Sequence, residues 1–572
     1  SDATSLMVKS GGVWNTLSGD VAVEEGGSVI FEGCNTSGDY VVGDGDKFFG
    51  GNEYVCAKSG NWNDAIWHKN GDTSVMVSGS EITVADNVVI PAGFDVTSQN
   101  GLKAKDIFIG RDGESVAKLS VNLHSTNTVS SFSGSGVLEY LFSRSWSWSF
   151  IGADYSEFMS NDESLLELNN TSQSEPVWLS GYFSQIKEFS NLTLSGSALF
   201  GYQLGSEFNV RGDLVCNTSF EMTTYGLGIN VGGRFVNNGE FVMKVENKAP
   251  CKVNSIYNYS SISSSSQFSI NITGDIVNNG TISLPNTFVV FTGETGVGTD
   301  VCTVSGSSTD FGKTHFGYLT VAKEFEDCRV RLDIPVGDSN GLCNIELLKG
   351  KLHLDYSSDL VTVYKAFEAQ YTWGGVISGH IVLEDFHIPE TCEIIVDNGC
   401  KLRLWCPTAQ SPDCHRVELS GGLKLLKGSE VSVNSATSGE DVEGQYSGFA
   451  YTSSKNSKLY MGAGTKLTAA FLTSFTSDAS IDVEMVSNAT IDIVPSSAVY
   501  GSYGAFDIRG GKVAMSDKSI ININNASSVF STDASLYYNP VTSNVGKAQF
   551  NIKSVYWPSY RHIYPMQGEF TL

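Results

Sequence analysis

Hydrophobic and polar residues alternate with a period of two over many short segments of this chain. Residues 351–354, 480–485 and 520–523 are examples, and Gly, Ser, Asn or Asp interrupts the alternation within a few residues. This pattern places successive side chains on opposite faces of a β-strand. Because each segment has only about four to six residues, we expect many short strands joined by tight polar turns. Helical periodicity is nearly absent, so the predicted fold class is all-β.

Internal repeats favour one all-β architecture over the others. Residues 229–239, INVGGRFVNNG, recur 41 residues later at 270–280 as INITGDIVNNG. A coil of a parallel β-helix needs two or three short strands, whose inward side chains stack on those of the preceding coil. Asn at equivalent turns can stack in ladders, which we predict for Asn237-Asn238 and Asn278-Asn279. We therefore predict a parallel β-helix (a solenoid), right-handed by the rule for parallel crossovers; the alternative is an array of β-sandwich domains.

The N-terminal region differs from the rest in its tryptophans. The segment SGGVWN around Trp14 begins again 49 residues later as SGNWN around Trp62, and Trp67 follows. Terminal units of solenoids need caps that cover the open end of the core. Residues 1–130 are therefore predicted to form a Trp-rich N-terminal cap with the first coils. Residues 131–572 are predicted to form the β-helix body, with irregular loops.

Composition and charge limit the classes of partner. The 572-residue chain contains 60 Gly, 17% charged residues and a formal net charge of −26. A negative surface repels phosphate backbones, which argues against a nucleic-acid partner, and no apolar run of about 18 residues predicts a direct membrane span. With 41% hydrophobic residues, the chain can bury a large core instead of remaining disordered. Surface proteins or neutral glycans are the predicted partners.

Eleven cysteines indicate an oxidising compartment. None forms a CxxC motif, and no histidine cluster completes a zinc-binding pattern. Disulfides are the preferred interpretation, with buried reduced thiols as the alternative. The preferred pairing leaves Cys343 unpaired and joins Cys34 to Cys56, Cys216 to Cys251, Cys302 to Cys328, Cys392 to Cys400, and Cys406 to Cys414.

The segment SGNWNDAIW, followed by ADNVVIPAGFDVT, resembles the opening of secreted cell-surface β-helix repeat proteins of Bacteroidota and of G8-type β-helix domains. Residues 273–284 and 304–322 resemble repeats of the same large proteins. The resemblance implies an extracellular or cell-surface location, export across the outer membrane by type IX secretion, and a partner for secretion or anchoring. The matching residues are Trp62, Asp64, Trp67, Asp86, Asn87, Val88, Ile90, Pro91 and Gly93.

An aromatic segment within residues 140–150 is the most distinctive candidate for ligand binding. Its tryptophans alternate with serines, so the aromatic rings project on one side of a predicted strand. If exposed, such a stripe would stack on sugar rings or dock a partner protein; if buried, it would be a core strand. The candidate ligand-binding residues are Tyr140, Phe142, Trp146, Trp148 and Phe150.

Neighbouring carboxylates and histidines are weaker candidates for catalysis. Asp385 and His387 alternate on one predicted strand, and Asp310 lies near His315. A carboxylate and a base could be built from such pairs, as in polysaccharide-cleaving enzymes. Ordinary solvent-facing strands are the alternative in a chain this acidic. No catalytic residue is predicted.

Two further short motifs are considered. Asp44 and Asp46, in a Gly-Asp turn, could ligate Ca²⁺, although the spacing of a complete calcium loop is missing. No other cofactor or metal is expected. Residues 211–213 read Arg-Gly-Asp, a tripeptide that a plain turn also explains.

Two functions of different classes are compatible with this sequence. The first is a non-enzymatic extracellular cell-surface protein, an adhesin or a structural component of a surface layer, because the repeats are extensive and no catalytic motif is clustered. The second is a carbohydrate-active enzyme or polysaccharide-binding β-helix module that acts through an aromatic groove. Since a fold does not determine a function, the site has to decide between them.

Overall fold

The computed structural model describes residues 52–524 with gaps, together with short strands on either side. The chain divides into two compact units, Ser1–Val253 and Asn254–Leu572. The predicted border between residues 130 and 131 therefore falls inside the first unit. The gaps are residues 100, 123–126, 143–150, 172–176, 179–185, 198, 205–206, 226–227, 247–250, 294–299, 340, 342, 357–360, 365–369, 374–375, 380–385, 408–415, 438–439, 447, 452, 454, 456, 475–477 and 495–510.

Both units consist almost entirely of β-strands. Within the described residues, the helices are one short α-helix, Ser156–Ser160, and one 3-10 turn, Gly79–Glu81. The prediction of an all-β chain is confirmed. Most strands pair in parallel, which does not favour an array of β-sandwiches, because their sheets are antiparallel. None of the described helices has the length and apolarity needed to cross a bilayer.

The structure describes seven short strands before residue 52, and their order along the chain is repetitive. Parallel pairing groups these strands into three sets. Successive strands along the chain belong to the first, second and third set in turn, and then to the first set again. The first set is Ser5–Val8, Ser28–Phe31 and Phe49–Gly50; the second is Trp14–Asn15 and Thr36–Ser37; the third is Ala22–Val23 and Val41–Val42.

A long series of parallel strands carries the core of the first unit. One inward position is leucine on five successive strands, and all five leucines are buried. Such a column lets each apolar side chain pack on its copy in the next strand, which removes both from water. The strands of this series are Gly60–Asn61, Asp95–Ser98, Lys118–Asn122, Val137–Phe142, Leu165–Asn170, Asn191–Gly196, Leu214–Cys216 and Ile229–Asn237.

Other strands of the first unit form a six-stranded sheet and shorter parallel or hairpin pairs. The six-stranded sheet runs Asp72–Ser78, Ala65–Lys69, Glu53–Cys56, Asn87–Ile90, Lys103–Ile109, Thr128–Gly134. A second parallel series is Val177–Trp178, Phe200–Leu204, Phe220–Tyr225 and Glu240–Glu246. The remaining strands are Phe208–Val210, which pairs with Ile229–Asn237, and the hairpin of Arg111–Asp112 with Ser115–Val116.

The residues that carry the N-terminal resemblance have structural roles. Trp62 and Trp67 are buried, and the indole nitrogen of Trp67 donates a hydrogen bond to the Trp62 carbonyl at 2.8 Å. The buried Asp86 carboxylate accepts backbone N–H bonds from Asn52 at 2.6 Å and from Thr83 at 2.7 Å. Satisfied in this way, the carboxylate can be buried at the start of its strand without an orphaned charge.

The second unit contains three parallel sheets, here called sheets A, B and C. Sheet A is Asn344–Leu354, Cys392–Val396, Gly422–Leu425, Ser457–Met461, Ile481–Met485, Lys512–Met515 and Ser535–Tyr538. Sheet B is Val361–Tyr364, Lys401–Pro407, Glu430–Thr437, Lys466–Ala469, Thr490–Ile493, Ile520–Asn524 and Gln549–Lys553. Sheet C is Phe386–Ile388, Val417–Leu419, Phe449–Tyr451 and Leu472–Ser474.

From residue 386 the chain enters sheets C, A and B in that order four times in succession. Earlier strands also pair in parallel; they are Cys251–Asn258, within which the unit boundary falls, Ser261–Ser263, Ser269–Ile272, Ile276–Asn278, Thr281–Thr292, Val301–Ser305, Thr314–Ala322 and Arg329–Leu332. Antiparallel additions are the hairpin of Gln370–Trp373 with Val376–Gly379, and Glu440–Tyr446 beside Glu430–Thr437.

Asparagine ladders form where the repeats predict them. The side-chain amide of Asn258 donates to the Asn278 side-chain oxygen at 2.8 Å, and the Asn278 amide donates to the Thr314 hydroxyl at 2.7 Å. In the first unit, Asn238 donates to Asn217 at 2.8 Å. Asn258 and Asn278 are fully buried, so these bonds satisfy amides that water cannot reach. The ladder prediction is confirmed for Asn238 and Asn278.

Replacement of Asn278 by alanine should destabilise the second unit by about 2–3 kcal/mol, because it removes the hydrogen bonds of the Asn278 side chain with the Asn258 amide, the Thr314 hydroxyl and the Gly280 backbone N–H. The exposed Asn286, whose side-chain amide donates to the Ser265 carbonyl, is the matched control, and Asn286→Ala should cost under about 0.5 kcal/mol. Urea unfolding followed by circular dichroism measures both. Equal losses in the two variants would show that the ladder contributes nothing specific.

The disulfide prediction is wrong for the cysteines that can be assessed. Eight cysteines are buried free thiols: Cys56, Cys216, Cys251, Cys302, Cys328, Cys343, Cys392 and Cys400. The predicted bonds from Cys34 to Cys56, Cys216 to Cys251, Cys302 to Cys328, and Cys392 to Cys400 are therefore not formed. The side chains of Cys406 and Cys414 lie outside the described residues, as does Cys34.

Strand geometry explains two of these errors. The strand Cys392–Val396 carries the chain roughly 13 Å away from Cys392 before the turn that reaches Cys400, whereas a disulfide needs Cα atoms within about 7 Å. Cys302 is in register with Val330, two residues beyond Cys328. Its sulfur instead contacts the Lys323 ammonium at 2.6 Å.

Thiol titration tests this correction. Unfolding in concentrated guanidinium without reductant should expose at least eight thiols per chain to Ellman's reagent. The folded protein should react slowly, because burial raises the pKa of Cys56 to about 11 and that of Cys343 to about 12, which keeps the reactive thiolate scarce. A count below eight would restore a disulfide among them.

Candidate functional site

The described residues of the aromatic segment, 140–142, do not form the predicted platform. Tyr140 and Phe142 are buried, and the Tyr140 hydroxyl is 2.6 Å from that of Tyr155 in the core. Burial raises the pKa of Tyr140 well above its ordinary value. The prediction that these two side chains contact a ligand is therefore wrong, because both already fill the interior. Trp146, Trp148 and Phe150 lie outside the described residues.

The predicted carboxylate and histidine pairs do not form sites. His387 is exposed and its ring nitrogen lies 3.1 Å from the Ser420 hydroxyl, while Asp385 lies outside the described residues. Asp310 is exposed, His315 is half-buried, and no ion pair joins these two described side chains. Burial lowers the pKa of His315, opposed by Asp338.

The remaining short motifs give no site either. Asp44 and Asp46, the predicted calcium ligands, lie outside the described residues. In the Arg-Gly-Asp segment, Arg211 pairs with Asp162 at 3.0 Å and Asp213 pairs with Arg234 at 2.6 Å. Both charges are thus engaged within the first unit, as a structural turn requires.

A charged groove of about 370 Å³ lies on the outer surface of the second unit. Acidic and basic side chains from neighbouring strands of sheet A and the adjoining turns supply most of its lining. We call it the charged groove. It is lined by Glu326, Asp327, Lys351, Glu390, Thr391, Cys392, Glu393, Ser420, Gly421, Gly422, Ser453, Lys455 and Lys458.

Two glycines create the space for this groove. Glu393, Gly422 and Lys458 are partners in register on three successive strands, so Gly422 leaves a gap between two charged side chains. A Cβ on Gly421 would lie 2.1 Å from the Pro389 carbonyl oxygen, a distance that no side chain tolerates. On Gly422, the nearest atom would be in the mobile side chain of Glu393 at 3.1 Å.

The charges of the groove are largely paired. Lys351 lies 2.9 Å from Asp327 and 3.6 Å from Glu393. Glu390 accepts a hydrogen bond from the Ser453 hydroxyl at 2.7 Å and pairs with Lys455 at 3.1 Å. These two partners lower the pKa of Glu390, which stays ionised at neutral pH.

This arrangement is suited to polar contacts. Glycoside hydrolysis needs a carboxylic acid whose pKa is raised so that it can donate a proton, whereas the shift at Glu390 is downward. The lining given above also contains no aromatic ring on which a sugar could stack. Fixed carboxylates and ammonium groups can instead hydrogen-bond to hydroxyl, amide or charged groups of a partner.

A second group of functional side chains lies on the same sheet. His353 occupies a strand of sheet A, and Asp355 and Asp397 follow the paired residues Leu354 and Val396. One potential ligand atom from each of His353, Asp355 and Asp397 lies within 4.8 Å of the others. Burial lowers the pKa of His353, opposed by Asp355 and Asp397, so the imidazole is neutral at neutral pH.

Sequence reasoning missed both the groove and this group. Lys351 and Glu393 are partners in register on neighbouring strands of sheet A. They are 42 positions apart in the sequence because residues 355–391 lie between the two strands. No local motif marks such a contact. An alignment of residues 351–354 with residues 393–396 would have indicated the contact. The long segment between them gives no reason to choose that alignment from the sequence.

Comparisons with known proteins identify no relative. No protein family, curated protein or solved structure matches the chain at a significant level. The resemblance to secreted proteins of Bacteroidota therefore stays a prediction.

Alanine at the two glycines of the groove should have very different effects. Gly421→Ala is expected to destabilise the second unit by about 1–3 kcal/mol, because its Cβ meets backbone oxygens that cannot move aside. Gly422→Ala should change stability by less than about 1 kcal/mol, since only the Glu393 side chain has to rotate. Thermal unfolding compares them. Similar midpoints would mean that this turn does not hold the groove in shape.

Proposed function

We propose that each unit is a right-handed parallel β-helix, built from coils of short strands. The repeated order of sheets C, A and B in the second unit supports this. A chain that returns to each sheet after visiting the other two, always in parallel, coils around one core. The three sets of strands before residue 52 support the same interpretation for the first unit. Right-handed coiling follows the general preference of parallel crossovers.

We further propose that the protein is a non-enzymatic extracellular cell-surface protein, an adhesin or a structural component of a surface layer. The single observation that carries this is the charged groove, in which Lys351 pairs with Asp327 and Glu393, and Lys455 pairs with Glu390. Such a surface can recognise polar groups of a surface protein or glycan. The downward pKa shift of Glu390 and the lack of an aromatic ring among the described lining residues give the carbohydrate-active alternative less support.

The extracellular location rests on composition and resemblance. The N-terminal motif resembles secreted proteins of Bacteroidota, and a net charge of −26 with only 17% charged residues is compatible with an acidic, soluble surface. The thiols no longer support this location, because the eight that can be assessed are free. Type IX export and a cell-surface anchoring partner belong to this proposal.

Incubation with a panel of plant, algal and host glycans tests the function. The purified chain is expected to bind one or more glycans or cell-surface proteins and to release no reducing ends above a heat-denatured sample, because the pKa of Glu390 in the groove is lowered. Binding is measured on immobilised ligands, and turnover by reducing-end assay.

Two variants make the result decisive. Glu393→Gln changes an acid in the groove, whereas Glu430→Gln changes an acid on sheet B that does not line it. Released oligosaccharide that disappears with Glu393→Gln and persists with Glu430→Gln would replace the adhesin proposal with a carbohydrate-active enzyme.

A further inference from the structure

We propose that His353, Asp355 and Asp397 bind a divalent transition-metal ion on the outer side of sheet A. This inference is independent of the adhesin proposal. The three side chains come from two paired strands and the turns that follow them. Their potential ligand atoms, one imidazole nitrogen and one oxygen from each carboxylate, lie within 4.8 Å of one another.

The imidazole of His353 is the observation that points to a ligand. His353 is only 8% exposed, and neither of its ring nitrogens has a hydrogen-bond partner. Asp397 lies close to it, with 3.5 Å between Nε2 and Oδ2, a contact longer than an ordinary hydrogen bond. A buried polar group without a partner destabilises the folded state. A metal ion between the two side chains would give His353 Nε2 and Asp397 Oδ2 a common partner.

The carboxylates are oriented for this role by their other contacts. Asp355 Oδ2 pairs with Arg331 at 2.7 Å. Asp397 Oδ1 accepts the backbone N–H of Asn398 at 2.7 Å and lies 3.6 Å from Lys427. One oxygen of each carboxylate is thus held by a neighbour, while Asp397 Oδ2 faces His353. Outer contacts of this type orient the ligands of protein metal sites.

The chemistry of the donors selects the class of ion. Calcium prefers a shell of oxygens, whereas one imidazole nitrogen with two carboxylates suits zinc and its neighbours in the first transition row. Three protein ligands leave a fourth position for water or a partner's group in a tetrahedral site. In such a site ligand atoms lie roughly 3.3 Å apart, so a bound ion would draw these side chains together by rotation.

Metal titration of the full chain tests the site. After treatment with chelator and its removal, the chain is titrated with Zn²⁺ by calorimetry and with Co²⁺ by visible absorption. We expect one site per chain that includes His353, with cobalt d–d bands of a low-symmetry site. His353→Ala and Asp397→Asn should each weaken binding by roughly 100-fold or more. His315→Ala, which changes a half-buried histidine on another strand, should bind as the wild type does.

Two results would overturn the proposal. In one, the wild type binds neither ion more tightly than about 1 mM, and His353→Ala only lowers the melting temperature; the pair with Asp397 would then be structural only. In the other, His353→Ala and Asp397→Asn retain the wild-type stoichiometry and cobalt spectrum, which would place the bound ion elsewhere. Circular dichroism of each variant separates loss of binding from loss of fold, and the isosteric Asp397→Asn remains informative if His353→Ala does not fold.

Discussion

The in-register pairing of parallel strands is the constraint on which the rest of this structure depends. Each residue has the equivalent residue of the previous and the next strand as its neighbour, so a column of side chains must be compatible along its whole length. Leucine columns and fully buried asparagines meet this condition. The turns must meet it too: at Gly306, with φ of +136°, a Cβ would lie 2.0 Å from the Asn278 carbonyl oxygen.

In a chain with a net charge of −26, the same constraint brings carboxylates of neighbouring strands together, so each needs compensating contacts nearby. Glu139 and Glu167 are direct partners in register, an arrangement that like charges normally destabilise. Lys118 lies 3.1 Å from the first and 2.9 Å from the second. Burial tends to raise the pKa of Glu139, but hydrogen bonds from Asn169, Ser120 and Lys118 outweigh it, and the pKa is lowered. In the charged groove of the second unit, Lys351 lies between Asp327 and Glu393 in the same way.

How much could be predicted depended on whether a property is local. The ladder at Asn278 was predictable, because its partner in register, Asn258, lies 20 residues earlier, which is about half of the 41-residue repeat. The disulfides were not, because closeness in sequence does not bring Cys392 and Cys400 together when a strand lies between them. The prediction that Tyr140 binds a ligand was wrong for a related reason. Alternation places the ring on one face of a strand, but it does not determine which face packs against the core.

The sequence by itself determined the all-β class, the short parallel strands and the asparagine ladders, because alternation, turn residues and repeats act over a few positions or at a constant spacing. The charged groove and the group around His353 were decided only by the tertiary structure. Their members meet across strands that are separated by inserts of unequal length, and the register of those strands is set by the packing of the whole core. Whether a thiol or an aromatic ring is buried was decided in the same way.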